Sequence, residues 1–281
     1  MKTLLKLSAL VPVTVLIMGL AGCPDGNGGD EIFPFLYEDS ELTTTITGYH
    51  GTGGAVTIPE EIDGKPVTAI GRDAFNGKNL TSVFIPDSVT SIGDSAFANN
   101  QLTNVTIGNS VATIGKSAFA NNQLTSFIIP DSVTSIESST FAYNQLTSII
   151  IPDSVTSIGD SAFRNNQLAS VTIPDSVTTI GGWAFRDNNK KLTSVTIGNS
   201  VTIIGDGAFY DNELTNVIIP DSVTSIGRMA FFDNELASVT IGEGVWLGPS
   251  SFPDGFGNAY NIDNNQAAGT YTLSGSIWAI E

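Results

Sequence analysis

One phrase, Ile-Pro-Asp-Ser-Val-Thr-Ser-Ile-Gly, returns down the chain with small variations and a nearly constant step. Counted at the last apolar residue of each strand-like segment, the series is Ile85, Ile107, Ile129, Ile151, Ile173, Ile197, Ile219 and Ile241. The step is 22 residues, broken once by a step of 24 between Ile173 and Ile197. A unit this short cannot bury its own apolar face, so neighbouring units must stack to make a continuous core. The expected fold class is therefore a β-rich solenoid, with a long surface and no closed pocket.

Residues 102–123 show how one unit works. Leu102, Val105 and Ile107 face inward from a β-branched strand, and Thr106 between the last two points out. A turn follows, Gly108-Asn109-Ser110 here and Pro-Asp-Ser in most copies, where Gly or Pro ends pairing and the Asx and Ser side chains support the bend. Val111 and Ile114 return to the core, Gly115 permits a sharp bend, and Ala118-Phe119 fill the layer. The phenylalanines recur as Phe75, Phe97, Phe119, Phe141, Phe163, Phe185, Phe209 and Phe231, which predicts a stacked aromatic spine. Two residues before each leucine stands Asn100, Asn122, Asn144, Asn166, Asn212 or Asn234. A buried amide there donates to and accepts from loop backbone that otherwise lacks partners, so an asparagine ladder is expected. The fifth unit departs from the pattern, with Asn188-Asn189-Lys190-Lys191 adding two residues.

The full pattern, L-x-x-V-x-I-P-x-x-V-x-x-I-G-x-x-A-F-x-x-N, resembles the BspA-like leucine-rich repeats over residues 56–244. The resemblance implies a right-handed leucine-rich-repeat stack of ~22-residue units with N- and C-terminal caps. It also implies a surface-exposed or secreted bacterial protein, since several members of that class act as adhesins. Glu137 in place of the usual glycine and Thr140 in place of alanine are departures expected to disturb only local packing. The expected organisation is an N-terminal cap with an atypical first repeat over 36–79, leucine-rich repeats over 80–244, and a C-terminal cap over 245–281. Within the last segment, Thr270 to Leu273 and Ser276 to Ala279 read as a hairpin around Ser274-Gly275.

The N-terminus is of another kind. Lys2 and Lys6 precede an apolar run from Leu7 to Ala21, the layout of a secretion signal over residues 1–22. Leu20-Ala21-Gly22-Cys23 resembles the lipobox of bacterial lipoproteins, which implies that Cys23 is acylated and begins the mature chain. Residues 23–35 then comprise the lipidated Cys and a Gly-rich tether. The expected location is exported and lipid-anchored to the bacterial cell envelope, at the surface. Cys23 is the only cysteine, so stacking must stabilise the domain without a disulfide. The whole chain carries a formal charge of −17; without Lys2 and Lys6 the 11 basic residues fall to 9 against 28 acidic ones, giving −19. That charge argues against nucleic acid as a partner and against an anionic membrane touching the protein body, leaving the acylated Cys23 as the membrane contact.

Catalysis has little to build on. His50 is the sole histidine, in a Tyr49-His50-Gly51 turn, and no nucleophile elbow, zinc helix, phosphate loop or cysteine pair occurs. The turn acids Asp87, Asp131, Asp153, Asp175 and Asp221 form a file that reads either as Asx-turn chemistry or as a Ca²⁺ ladder, and their position after proline favours the turn. No enzyme activity, metal or cofactor is expected.

Function is then expected on the surface. The outward residue of each strand gives a strip: Phe84, Thr106, Ile128, Ile150, Thr172, Thr196, Ile218 and Thr240. It reads equally as a binding face or as a run of good strand formers. A secondary charged rim gathers Arg164, Arg186, Lys190 and Lys191 beside Asp211, Glu213, Asp233 and Glu235; a solvated edge with internal ion pairing is the plainer meaning. The functional expectation is a lipid-anchored surface protein that binds a protein ligand through its repeat face. The alternatives are an envelope scaffold acting by weak self-association, or a glycan-binding module.

Overall fold

The computed structural model describes residues 33–253, 255–260, 266–274 and 277–280. The signal segment, Cys23 and most of the tether lie outside the described residues. The chain winds into a β-solenoid of about 9 turns with almost no helix. We number the layers from residue 80: layer 1 is 80–101, layer 2 is 102–123, layer 3 is 124–145, layer 4 is 146–167, layer 5 is 168–191, layer 6 is 192–213, layer 7 is 214–235, and layer 8 begins at 236.

Each layer has two parallel strand positions rather than one. The first ladder is built from the Leu-x-x-Val-x-Ile segments, such as Leu80–Ile85 paired with Asn104–Ile107 in register Phe84 to Thr106. The second is built from two-residue strands in the segment leading to the bend glycine, such as Ser135–Ile136, Ser157–Ile158, Thr179–Ile180, Ile203–Ile204 and Ser225–Ile226, all in register. Sequence reading assigned those residues only a return to the core. Two residues are too few to show a period, but stacking at one strand spacing pairs their backbones all the same.

Between the ladders, the phenylalanine rings stack face to face at 5.0–5.5 Å over most of the column, which continues past Phe231 to Phe252. Every ring from Phe75 to Phe231 in the spine is fully buried. The asparagine ladder runs beside it. Asn122 is typical: its Nδ2 donates to the carbonyls of Phe97, Phe119 and Ala120, and its Oδ1 accepts from the N–H of Leu102. The ladder contains one more rung than the spacing from leucine reveals. Asn188 is completely buried, donates to Phe185 O and accepts from Leu168 N, because its rung is fixed three residues after phenylalanine. The two additional residues of layer 5 come after it, where Asn189 and Lys190 take left-handed backbone angles.

Layer 3 is where the stack is least regular. The first ladder is interrupted at several places, with layers 3 and 4 joined only by an isolated Ile128–Ile150 bridge. The second ladder is continuous on either side of one break, between Thr113–Ile114 and Ser135–Ile136. Layers 2 and 3 are thus the one pair of repeat layers, among the described residues, held by neither ladder. Two side chains explain it. At the bend, layers 1, 2 and 4 to 7 have glycines whose added Cβ would lie only 2.5–2.7 Å from backbone or carboxylate atoms of the preceding layer, whereas layer 3 has Glu137. A real Cβ at Glu137 requires the layers to part, and the N–H to carbonyl bond that Gly115 makes to Ile92 and Gly159 makes to Ile136 has no counterpart there. On the strand, Phe127 stands where neighbouring layers have Val105 and Ile149, and its ring wedges between Phe119 at 5.0 Å and Phe141 at 4.7 Å. The spine spacing between those two rings rises to 6.0 Å. The departure at Glu137 therefore acts across the whole turn and not on local packing alone. Thr140, buried, restores part of the loss by donating to Glu137 O and Gly115 O.

Both ends are closed by antiparallel strands. Phe35–Asp39 pairs with Thr44–Tyr49 at the start, and Gly269–Ser274 pairs with both Ser238–Ile241 and Ile277–Ile280 at the end. Tyr271 and Trp278 are buried against Phe256, so these rings cap the core and present no exposed aromatic platform.

Candidate binding surface

The first ladder positions the strip, because strand alternation sends Leu, Val and Ile inward and leaves three outward residues per layer. Ile128 and Ile150 are 81% and 82% exposed, Ile218 is 69% and Phe84 is 45%. Thr106, Thr172 and Thr196 are exposed beside them. Thr240 is half-buried: its hydroxyl shares a hydrogen bond with Thr270 of the closing strand, so accessible surface diminishes at that end.

The neighbouring outward positions complete the face. From layer 1 to layer 8 they are Thr81-Ser82, Thr103-Asn104, Thr125-Ser126, Thr147-Ser148, Ala169-Ser170, Thr193-Ser194, Thr215-Asn216 and Ala237-Ser238. None of the outward residues on this ladder is charged, in a chain of net charge −17. Several threonine hydroxyls on it are tied down, since Thr103 and Thr147 donate to the carbonyls of Thr81 and Thr125 one layer back. The face is neutral throughout and apolar at Ile128 and Ile150.

The acidic files lie elsewhere, and several of their carboxylates bond to backbone N–H groups. Asp87 and Asp175 accept from the N–H groups of Asn109 and Asn199 in the next turn. A second file missed by sequence reading, Asp94, Asp160 and Asp206, caps Lys116, Gly182 and Arg228 in the same manner. Among the described residues no group of three or more His, Cys, Asp or Glu side chains is placed to hold a metal ion. His50 is exposed on its turn, where its N–H donates to Pro34 O.

The charged rim differs from the expected ion-paired edge. Among the described residues the salt bridges are Lys65–Asp39 and Arg72–Asp73, neither of them in the rim. Arg164 lies over the Tyr143 ring at 5.6 Å, and Arg186 is held between Trp183 and Tyr210, 4.9 Å from each ring centroid. Cation–π packing has replaced ion pairing here. The signal was available in the residues two before and one after phenylalanine, which change from Ser and Ala in layers 1 and 2 to Trp183, Arg186 and Tyr210. Asp211 nearby has its carboxyl pushed up, first by burial and then by the Asp187 and Asp233 carboxylates.

Below this rim the longer turn of layer 5 leaves a polar cleft of about 200 Å³, lined by Asn144, Asn165, Asn166, Gln167, Asp187 and Asn189. Sequence reading placed no site there.

The BspA type leucine rich repeat region model matches residues 68–191 and 188–266, with 6 copies. The chain belongs to that family. Among solved structures, a leucine rich cell surface protein from Faecalibacterium prausnitzii is 30% identical with a TM-score of 0.53; the match covers 90% of this chain and 60% of that one. This chain thus spans less than two thirds of that relative. A leucine-rich repeat protein from Bacteroides ovatus is 25% identical over 78% of this chain and 67% of its own, with a TM-score of 0.47. The pneumococcal vaccine antigen PcpA, 18% identical over 77% of this chain and 84% of its own with a TM-score of 0.50, shares the fold. Among the curated proteins none matches the chain significantly. The β-solenoid inferred from the period and the leucine-rich-repeat architecture implied by the resemblance are the observed ones, and the family is one of bacterial cell-surface proteins. No helix among the described residues is long and apolar enough to cross a membrane.

Proposed function

We propose that this protein is a non-catalytic binding protein of the bacterial surface, held to the envelope by an acyl group on Cys23, that recognises a protein ligand through its uncharged ladder face. The observation that carries the reading is the contrast between that face and the rest of the chain. Desolvating hydroxyls, amides and isoleucines costs far less than desolvating carboxylates, so a strongly acidic protein offers its easiest docking area where charge is missing. Seven accessible layers at the usual strand spacing give a face ~30 Å long, enough for one side of an ordinary protein interface. The surrounding negative charge favours a partner with an apolar centre and a basic rim, and opposes the approach of a second copy.

Ile128→Lys with Ile150→Lys tests the face. Both side chains are in solvent, so the far-ultraviolet dichroism and melting should remain, while affinity for a partner captured from surface extracts should drop tenfold or more, ~1.4 kcal/mol. A partner that binds the double variant as tightly as the original protein removes the strip from consideration. The anchor has its own check: Cys23→Ser should release the protein from membranes, and an unmodified Cys23 in the intact mass of the exported original defeats that part of the reading.

A further inference from the structure

We propose that the polar cleft in layer 5 is a second binding site, separate from the ladder face, and that it takes one neutral sugar residue.

The cleft lies where two additional residues follow the asparagine rung. In the other layers a single residue separates that Asn from the next Leu, whereas here Asn189, Lys190 and Lys191 intervene and the backbone passes through left-handed angles at Asn189 and Lys190. The space is smaller than the ~300–1,000 Å³ that encloses a drug-sized molecule, which limits it to one small unit.

Its lining divides into groups that are occupied and groups that are available. Asn144 and Asn166 are held in the ladder: each Oδ1 accepts from a leucine N–H and each Nδ2 donates to three carbonyls. Gln167 accepts from Lys191 Nζ at 2.9 Å, which fixes its carbonyl and leaves its Nε2 to donate. Asn165 donates to Asp187 Oδ2 at 2.8 Å, which leaves Asp187 Oδ1 as an acceptor. Asn165 Oδ1 is buried with no hydrogen-bond partner. Asn189, exposed at the edge, offers both a donor and an acceptor.

This alternation of amide donors with carboxylate and amide acceptors suits vicinal hydroxyls, each of which gives one hydrogen bond and takes others. An aromatic face stands alongside. Tyr143, Asn165 and Asp187 occupy the same left-handed position in successive layers, and Tyr143 is 44% exposed although Arg164 covers part of its ring. An apolar ring face beside a row of amides meets the two sides of a pyranose, one of C–H groups and one of hydroxyls. The Asp187 carboxylate, with Asp211 in the next layer, selects for a neutral sugar over a sugar acid. Arg164, Arg186, Lys190 and Lys191 keep their charge nearby, but none of them lines the cleft, whereas Asp187 does, so the charge a ligand meets directly is negative.

The test is saturation-transfer NMR on the full-length protein with D-glucose, D-galactose, D-mannose, N-acetyl-D-glucosamine and D-glucuronate as separate probes. At least one neutral sugar should bind in the millimolar range, and glucuronate more weakly. Asp187→Asn exchanges the acceptor for a donor, Asn189→Gly removes the edge amide, and both residue types tolerate the left-handed backbone. Tyr143→Asn removes the ring and installs the residue found at the same position in Asn99, Asn121 and Asn165. Each variant should weaken sugar binding at least fivefold without lowering the melting temperature, and Ile128→Lys with Ile150→Lys should leave it unchanged. The proposal is overturned if no neutral sugar binds, if glucuronate binds best, or if Asp187→Asn and Tyr143→Asn bind as well as the original protein. Because the isoleucine variant reads the ladder face alone, failure of either site is visible without the other.

Discussion

Layer 3 keeps the repeat length and loses both ladders on the side facing layer 2; layer 5 breaks the repeat length and keeps its second ladder intact. Thr179–Ile180 pairs in register with both Ser157–Ile158 and Ile203–Ile204, and Ser170–Thr172 pairs with Ser194–Thr196 across the longer turn. Layer 3 differs from its neighbours in a few side chains, yet neither ladder crosses from layer 2. The difference lies in where the change falls. Two residues after Asn188 extend into solvent, where a longer loop changes closure entropy by only a fraction of a kcal/mol. One Cβ at Glu137 falls in the gap between stacked backbones, where no atom can yield. In a stack of thin layers the separation between layers is the dimension with least tolerance.

Transplanting the disturbance gives the largest effect. Gly159 occupies in layer 4 the place of Glu137, its N–H donates to Ile136 O at 2.7 Å, and an added Cβ would lie 2.6 Å from Ser138 N. Gly159→Glu should open the second ladder between layers 3 and 4 and destabilise the protein by about 1–3 kcal/mol, as overpacking does elsewhere. Urea unfolding, with amide exchange at Gly159, reports it. An unchanged midpoint and unchanged exchange would mean that the glycine file is not what sets the spacing.

Much of this architecture was legible because its causes repeat. The isoleucine step, the phenylalanine column and most asparagine rungs declare themselves by period alone, and nearly all of them are buried, Ile107 and Asn234 being half-buried. What escaped reading was relational. Asn188 escapes a count back from Leu192, across the insertion, because the backbone fixes its rung from Phe185. Glu137 was visible as a substitution, but its consequence depends on the layer beneath, and Phe127 looked like one more apolar strand residue. The outward positions of the strip were legible from alternation, whereas the absence of charge over three outward files emerges only when the layers are set side by side. The cleft lay hidden for the same reason, as its lining comes from three layers and two of its five amides, Asn144 and Asn166, are engaged in the ladder.

Removing the disturbance where it occurs should have the opposite sign and a moderate size. Glu137→Gly with Phe127→Val gives layer 3 the residues found in layer 2 at both contacts. The new glycine costs up to about 1 kcal/mol of backbone entropy, so overall stability is a poor gauge. Local protection is the better one: amides of Ser135, Ile136 and residue 137 should exchange at least tenfold more slowly, ~1.4 kcal/mol of local opening energy. Either substitution alone should do less, because the two wedges act on different ladders. Exchange as fast as in the original protein would place the cause of the break elsewhere.

The smallest effect tests the other side of the comparison. Deleting Asn189 and Lys190 returns layer 5 to the common length, bringing Lys191 to the position that Gln167 and Glu213 hold in adjacent layers. Shortening a solvent loop gains little, and the removal of a lysine from a left-handed backbone angle gains somewhat more. The Asn188 contact with Asn212 Oδ1, which replaces the usual bond from a leucine N–H, should revert to that usual form through Leu192. Together these predict a melting temperature unchanged or raised slightly, with the second ladder as continuous as before. A loss above about 1 kcal/mol would show that the insertion contributes to folding, against everything its position implies. With stability unaffected, the insertion's remaining consequence is the cleft it opens beside Asp187, and the deleted form, which lacks the Asn189 side of that cleft, is the control in which sugar binding should vanish.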